Sequence, residues 1–208
     1  MKNKTWKDIT VGQFNRITEV MQNQDEYTIL NLIEIVFEVD ASQLPAKDIE
    51  KYLKALEFLN KTPKPDTPKK YYVLNGTKYD SNLGLPTMTT GQFIDYQNYS
   101  KNNKIEEILS CFFTPHGHSY SDGYSIEQVK KDLLELPITE ALDAAFFFRR
   151  QFKLLCNRFQ YYLLKSMKKA KMNKEIINQF RKLDLYSLES FPIYLNTAKQ
   201  LMKPSQQP

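Results

Sequence analysis

Apolar residues recur at three- and four-residue intervals along most of the chain, the period of an amphipathic helix. Val11, Phe14, Ile17 and Met21 predict a first helix over residues 10–22. Ile29, Leu32, Ile33, Val36 and Phe37 predict a second over 26–38, with a stripe broad enough to be buried on most sides. A third, over 45–60, has Pro45 near its start, where a missing N–H costs nothing, and would bury Ile49, Tyr52, Leu53, Leu56 and Leu59. Pro63, Pro65 and Pro68 then stop the helical pattern and predict an extended linker. Next, Asn75-Gly76 separates two aromatic and β-branched runs, Lys70–Leu74 and Thr77–Tyr79. Both positions of a type I′ turn need positive φ, so this is a hairpin signal, and we expect it to be the sole strand pair.

The second half restates the first. Ile9-Thr10-Val11-Gly12-Gln13-Phe14 returns as Met88-Thr89-Thr90-Gly91-Gln92-Phe93, 79 residues on. Helices over 89–100 and 104–113 are expected, the latter carrying Ile105, Ile108, Leu109, Phe112 and Phe113 at the spacing seen in the first half. Each half then reaches a Leu-Pro pair with an acid three residues after the Pro: Leu44-Pro45 with Asp48, and Leu136-Pro137 with Glu140. The second half has a sixteen-residue insertion before that pair, a loop with His116 and His118 followed by a helix over 125–135 with Ser125 as N-cap and Gln128 three residues on. From Pro137 to Met172 no breaker interrupts the line Leu142, Ala145, Phe146, Arg149, Phe152, Cys156, Phe159, Leu163 and Met167. Helices over 173–183 and 187–202 and a mobile tail follow.

These patterns predict a mainly α protein of two related helical halves, an internal duplication, with one small β-hairpin and a long C-terminal helix. The expected segments are a first repeat (1–61), a Pro-rich linker (62–69), the hairpin with the second repeat and long helix (70–172), and a basic helical extension (173–208). In the repeated phrase, Thr10 and Thr89 read as N-caps, with Gln13 and Gln92 closing capping boxes. Phe14 and Phe93 read as the first core anchors. Gly12 and Gly91 sit in the first helical turn, where close approach of another backbone is the natural reason for a poor helix former.

Composition excludes wholesale disorder, with 41% hydrophobic residues and thirteen each of Tyr and Phe against six Gly. No apolar stretch follows the charged first residues, so no signal peptide is expected, and the most apolar run, 141–148, contains Asp143 and falls far short of a membrane span. The net charge of +5 hides an asymmetry: residues 1–148 carry 16 Lys and Arg against 21 Asp and Glu, whereas 149–208 carry 13 against 3. Such a basic end suits nucleic acid, an acidic partner, or the protein's own acidic half. Lys165, Lys168, Lys169, Lys171, Lys174, Arg181 and Lys182 are the candidate contacts, with Tyr161, Tyr162 and Tyr186 interleaved as stacking platforms. Cations there also stabilise a helix terminus.

Chemistry-bearing groups are sparse. His116 and His118 share one loop with Asp122, no third His exists, and a polar surface loop is the simpler reading than a metal site. Cys111 and Cys156 fall on expected core faces as reduced thiols without a His base. Neither a Walker sequence nor a GxGxxG occurs. We therefore expect no catalytic, cofactor-binding or metal-binding residue, and no enzyme.

Trp6-Lys7-Asp8-Ile9-Thr10-Val11-Gly12-Gln13-Phe14, opening a short helical protein, resembles the start of tail assembly chaperones and related morphogenesis proteins of tailed bacteriophages. The approach of Tyr72–Tyr79 to the second copy is similar, and the likeness covers about residues 5–165. It implies a non-enzymatic factor that binds a long helical client, such as the tape-measure protein, in the host cytoplasm during assembly. The basic C-terminal extension departs from that pattern. It suits equally a virion component, a connector, ring or cargo protein near the portal with possible homo-oligomers, and leaves open a DNA-binding protein acting through the cluster from Lys165 to Lys182.

Overall fold

A computed structural model describes residues 3–23, 25–63, 67–84, 88–102, 104–120 and 122–182. Among these are eight helices: α1 (Val11–Gln22), α2 (Thr28–Phe37), α3 (Ala46–Ala55), α4 (Thr90–Tyr99), α5 (Ile105–Ser110), α6 (Ile126–Leu133), α7 (Ile138–Lys169) and α8 (Lys174–Lys182). Three strands, β1 (Tyr71–Leu74), β2 (Thr77–Ser81) and β3 (Phe113–Pro115), form an antiparallel sheet in the order β1-β2-β3. The protein is thus mainly helical with one small sheet. It divides into two compact units, Met1–Phe148 and Arg149–Pro208, and the division falls within α7. The expected helix over 187–202 and the tail lie outside the described residues.

The repeated phrase does more than cap. Thr10 Oγ1 accepts from Gln13 N while Gln13 Oε1 accepts from Thr10 N, and Thr89 and Gln92 make the same pair of bonds. Each glutamine then spends its remaining donor on a second helix. Gln13 Nε2 donates to Ile35 O in the last turn of α2 at 3.0 Å, and Gln92 Nε2 donates to Cys111 O, just beyond α5, at 3.0 Å. Carbonyls at a helix C-terminus have no intrahelical partner, so one side chain closes the start of one helix and the end of the next. Accordingly Gln13 and Gln92 are buried, while Phe14 and Phe93 are only half-buried. The anchor of the phrase is its glutamine, not the phenylalanine expected from hydrophobicity.

The two glycines part company. Gly12 N donates to Leu134 O at 2.8 Å, and a Cβ there would stand 3.4 Å from that carbonyl, the expected close backbone approach. At Gly91 a Cβ would meet only Thr89 Oγ1 at 3.9 Å, so nothing packs there. The contact at Gly12 belongs to a larger junction. Val11 N donates to Leu136 O and Ile138 N to Ile9 O, so the amides opening α1 meet the carbonyls that follow α6, and α7 starts from the same place. Ile9, Val11, Leu133, Leu136 and Ile138, all nearly inaccessible, pack around this junction.

Several expected boundaries shift. The helix expected over 104–113 ends at Ser110, and Phe113 enters β3, giving a third strand where one pair was expected. Adjacent helical residues point about 100° apart, whereas strand neighbours face opposite sides. Phe112, in the turn that ends α5, packs against Phe148 (4.1 Å between centroids), and Phe113, on β3, against Tyr72 (5.1 Å). Pro115, unable to donate, ends the strand. The third helix stops at Ala55, continues as a 3-10 turn over Glu57–Asn60, and leaves Leu53 exposed. Met21 and Ile29, expected on buried faces, are also exposed. On the long line through α7, Leu163 and Met167 are buried, Leu142, Ala145, Phe152 and Cys156 half-buried and Phe146 exposed, while the Phe159 side chain lies outside the described residues.

Asn75 and Gly76 both take positive φ, as a type I′ turn requires. The turn is held by Asp132 on α6, a residue the sequence did not single out. Asp132 accepts from Asn75 Nδ2, Tyr79 Oη and Gln128 Nε2 while buried. Gln128 spends its amide there, so Ser125 caps α6 without the reciprocal bond of a capping box.

Replacing Gln13 or Gln92 by Ala orphans a helix-end carbonyl and an N-cap amide, and should lower stability by about 2 kcal/mol each in urea unfolding. Burial pushes the Asp132 carboxyl up, but its three hydrogen bonds outweigh this and hold it below the ordinary Asp value. Its contribution is therefore complete above about pH 4 and lost as pH falls below that. The urea midpoint of the native chain should drop on acidification below about pH 4, and the drop should be smaller in Asp132→Asn.

Candidate interaction surface

The cysteines and histidines of the described residues lie in separate settings. Cys111 is fully buried, and burial first, then the Asp95 charge, pushes its thiol up to about 12, so it stays protonated near neutral pH. Cys156, in no disulfide, is half-buried in the second unit. His116 Nδ1 lies 2.9 Å from Asp80 on β2, and that hydrogen bond holds the Asp80 carboxyl below its usual range. His118 Nδ1 lies 3.0 Å from Asp122 O, bracing its own loop. From the same insertion, Tyr120 Oη donates to Asp95 on α4 at 2.6 Å. Among the described residues no three His, Cys, Asp or Glu side chains gather as a metal-holding group, and no helix is long and apolar enough to cross a membrane.

What remains is the basic end. In the second unit α7 and α8 form a helical hairpin around Leu163, Met167, Ile177 and Phe180, with Cys156, Leu164 and Met172 against them. Burying four such side chains contributes on the order of 6–12 kcal/mol, close to the backbone entropy of ordering a helix the length of α8. The hairpin therefore leans on its end caps. Met172 N donates to Met167 O and Lys171 N to Lys168 O, a Schellman ending for α7, and Lys171 takes the left-handed position at φ 51°. Asn173 Oδ1 accepts from Glu175 N and opens α8. Gln160 Nε2 donates to Phe180 O and Arg181 O and closes it.

All seven candidate cations are exposed. The turn brings Lys168, Lys174 and Arg181 together around one groove, floored by Met172 and Ile177. Lys165, Lys169, Lys171 and Lys182 lie outside that lining. Tyr186 lies outside the described residues. On the side of α7 away from the hairpin core, Arg150, Leu154, Arg158, Tyr161 and Lys165 follow at helical spacing. Leu154 is 46% exposed, and Tyr161 and Tyr162, in edge contact at 5.7 Å, are each 63% exposed. This face joins large apolar groups to cations and carries no acid. Of the line traced by sequence periodicity along α7, Leu163 and Met167 are buried; the periodicity gave no notice of this second face.

A β-carbon in the left-handed region costs roughly 1–2 kcal/mol, partly offset by the extra freedom of glycine when unfolded. Lys171→Gly should therefore stabilise the hairpin by about 0.5–1 kcal/mol, read as slower hydrogen exchange of the α8 amides.

The search of family models finds no match to this chain, and neither the curated proteins nor the solved structures yield one.

Proposed function

We propose that the chain is a non-enzymatic morphogenesis protein of tailed bacteriophages, akin to a tail assembly chaperone, that holds a helical client such as the tape-measure protein. The observation that carries this reading is the outer face of α7, where Leu154, Tyr161 and Tyr162 stand exposed at the spacing by which one helix grips another. Aromatic and cationic groups side by side are the composition of a binding face. The cations also fit a client helix of acidic character.

We also read the scaffold as an internal duplication. Its support is the paired use of Gln13 and Gln92, each opening one helix and closing the end of the next. A helix-end staple is not what a capping box alone requires, so its recurrence is more telling than the shared letters. The second copy differs by β3, the Tyr120 loop and α6, and the carbonyls just after α6 are those that the first copy uses.

The test is co-expression with the tape-measure protein of the same phage. The complex should co-purify, keep the client soluble, and lose at least tenfold in affinity on Leu154→Asp or Tyr161→Asp, each of which places a charge where apolar contact is needed. Mature particles analysed by mass spectrometry should lack the chain. Its presence there at ring stoichiometry, or client binding untouched by both substitutions, would sink the chaperone reading.

A further inference from the structure

Charge of opposite sign is concentrated in two separate tracts. Residues 17–46 hold six acids, Glu19, Asp25, Glu26, Glu34, Glu38 and Asp40, and no Lys or Arg. Residues 144–174 hold nine Lys or Arg and no acid. Among the described residues none of those six acids forms an ion pair, and neither do Arg158, Lys165, Lys168, Lys169, Lys171 and Lys174. Elsewhere pairing is routine, as in Lys51–Asp48, Lys54–Glu50, Lys69–Glu140 and Lys130–Glu127.

Each tract also exposes large apolar groups. Around the turn from α1 to α2, Met21 is 47%, Tyr27 56% and Ile29 48% exposed, and Glu19, Asp25 and Glu26 stand beside them. On α7 the counterparts are Leu154, Tyr161 and Tyr162 beside Arg158 and Lys165. Each patch thus has the apolar centre and charged surround of a protein interface, with opposite signs.

We propose that the chain associates with itself, the acidic α1–α2 end of one copy docking on the basic outer face of α7 in another. Opposite potentials steer the encounter and fix its orientation, and burial of the apolar groups supplies the attraction that salt does not screen. Because the two patches differ, the contact closes either as a reciprocal pair or as a ring of copies. This does not rest on the client reading: a client helix and a second copy compete for one face, and assembly is read with no client present.

Light scattering after size exclusion, on the full chain at several concentrations, tests it. The mass should rise above the monomer at low salt, and the dissociation constant should rise at least about tenfold as salt increases from about 50 to 500 mM. Glu19→Lys with Glu26→Lys should give a monomer, as should Arg158→Glu with Lys165→Glu. All four side chains are exposed and outside the hydrogen bonds that hold their helices. Mixed in equal amounts, the two variants should assemble again, because each reversed end meets the other's. If either loses its helical circular dichroism, the neutral pair Arg158→Gln with Lys165→Gln takes its place and should weaken association less. A chain monomeric at every concentration, assembly indifferent to both reversals, or a mixture that stays monomeric overturns the proposal. So does a monomer whose α7 cations instead take up an oligonucleotide.

Discussion

A helix end buried without partners leaves several backbone groups unsatisfied, and each such group costs roughly 1–3 kcal/mol. The first unit is organised by how it answers that constraint. The amides opening α1 are met by the carbonyls after α6, the carbonyls closing α2 and α5 by Gln13 and Gln92, and the amide opening α7 by Ile9 O. The bonds of Ile9, Val11 and Gly12 join segments more than a hundred residues apart, so residues 9–12 are at once the start of the first helix and a lid on the end of the sixth. Short helices suffice because their ends are tied to one another. The six residues of α5 would not persist alone.

Polar side chains of the first unit enter the same accounting. Buried Asp132 is held by the hairpin and α6, Tyr120 bonds α4, and the part-exposed Asp80 bonds His116. Cys111 lends its carbonyl to Gln92 while its thiol is driven toward the neutral form by burial. The proposed binding surfaces are where side chains remain exposed.

How much of this was legible beforehand follows from how local each signal is. Thr10, Thr89 and Ser125 were readable as N-caps and Asn75-Gly76 as a turn, because the deciding geometry spans only a few residues. Periodicity also gave the helices and the long α7. It did not give the role of Gln13, since a capping box accounts for a glutamine at that position and nothing local says its other end reaches Ile35. It missed β3 because Phe113 fits a helical stripe as well as a strand, and only the partner strand decides. Asp132, beside Val129 and Leu133 on a buried face, was a visible anomaly, an acid where apolar groups belong; its partners were not. In the candidate surface the cationic cluster was legible as composition, but its convergence on one groove depends on the left-handed turn at Lys171, where no glycine marked it.

That turn bears on why the second unit is built as it is. A solvent-exposed helix ordinarily gains a few tenths of a kcal/mol from each acid placed three or four residues from a base. The half of α7 beyond Phe148 forgoes every such pair, and it places Lys165 near Lys168 and Lys169, where like charges oppose helix formation. At the turn it accepts the strain of a left-handed lysine where glycine would be easier. These choices all lower the stability of a hairpin whose core is four side chains, and they crowd positive charge along it. Such a sequence gives up local stability for a concentrated positive field. On the self-association proposed above, the acidic end of another copy would supply the return on that sacrifice, and the charge of α7 would be half of an interface.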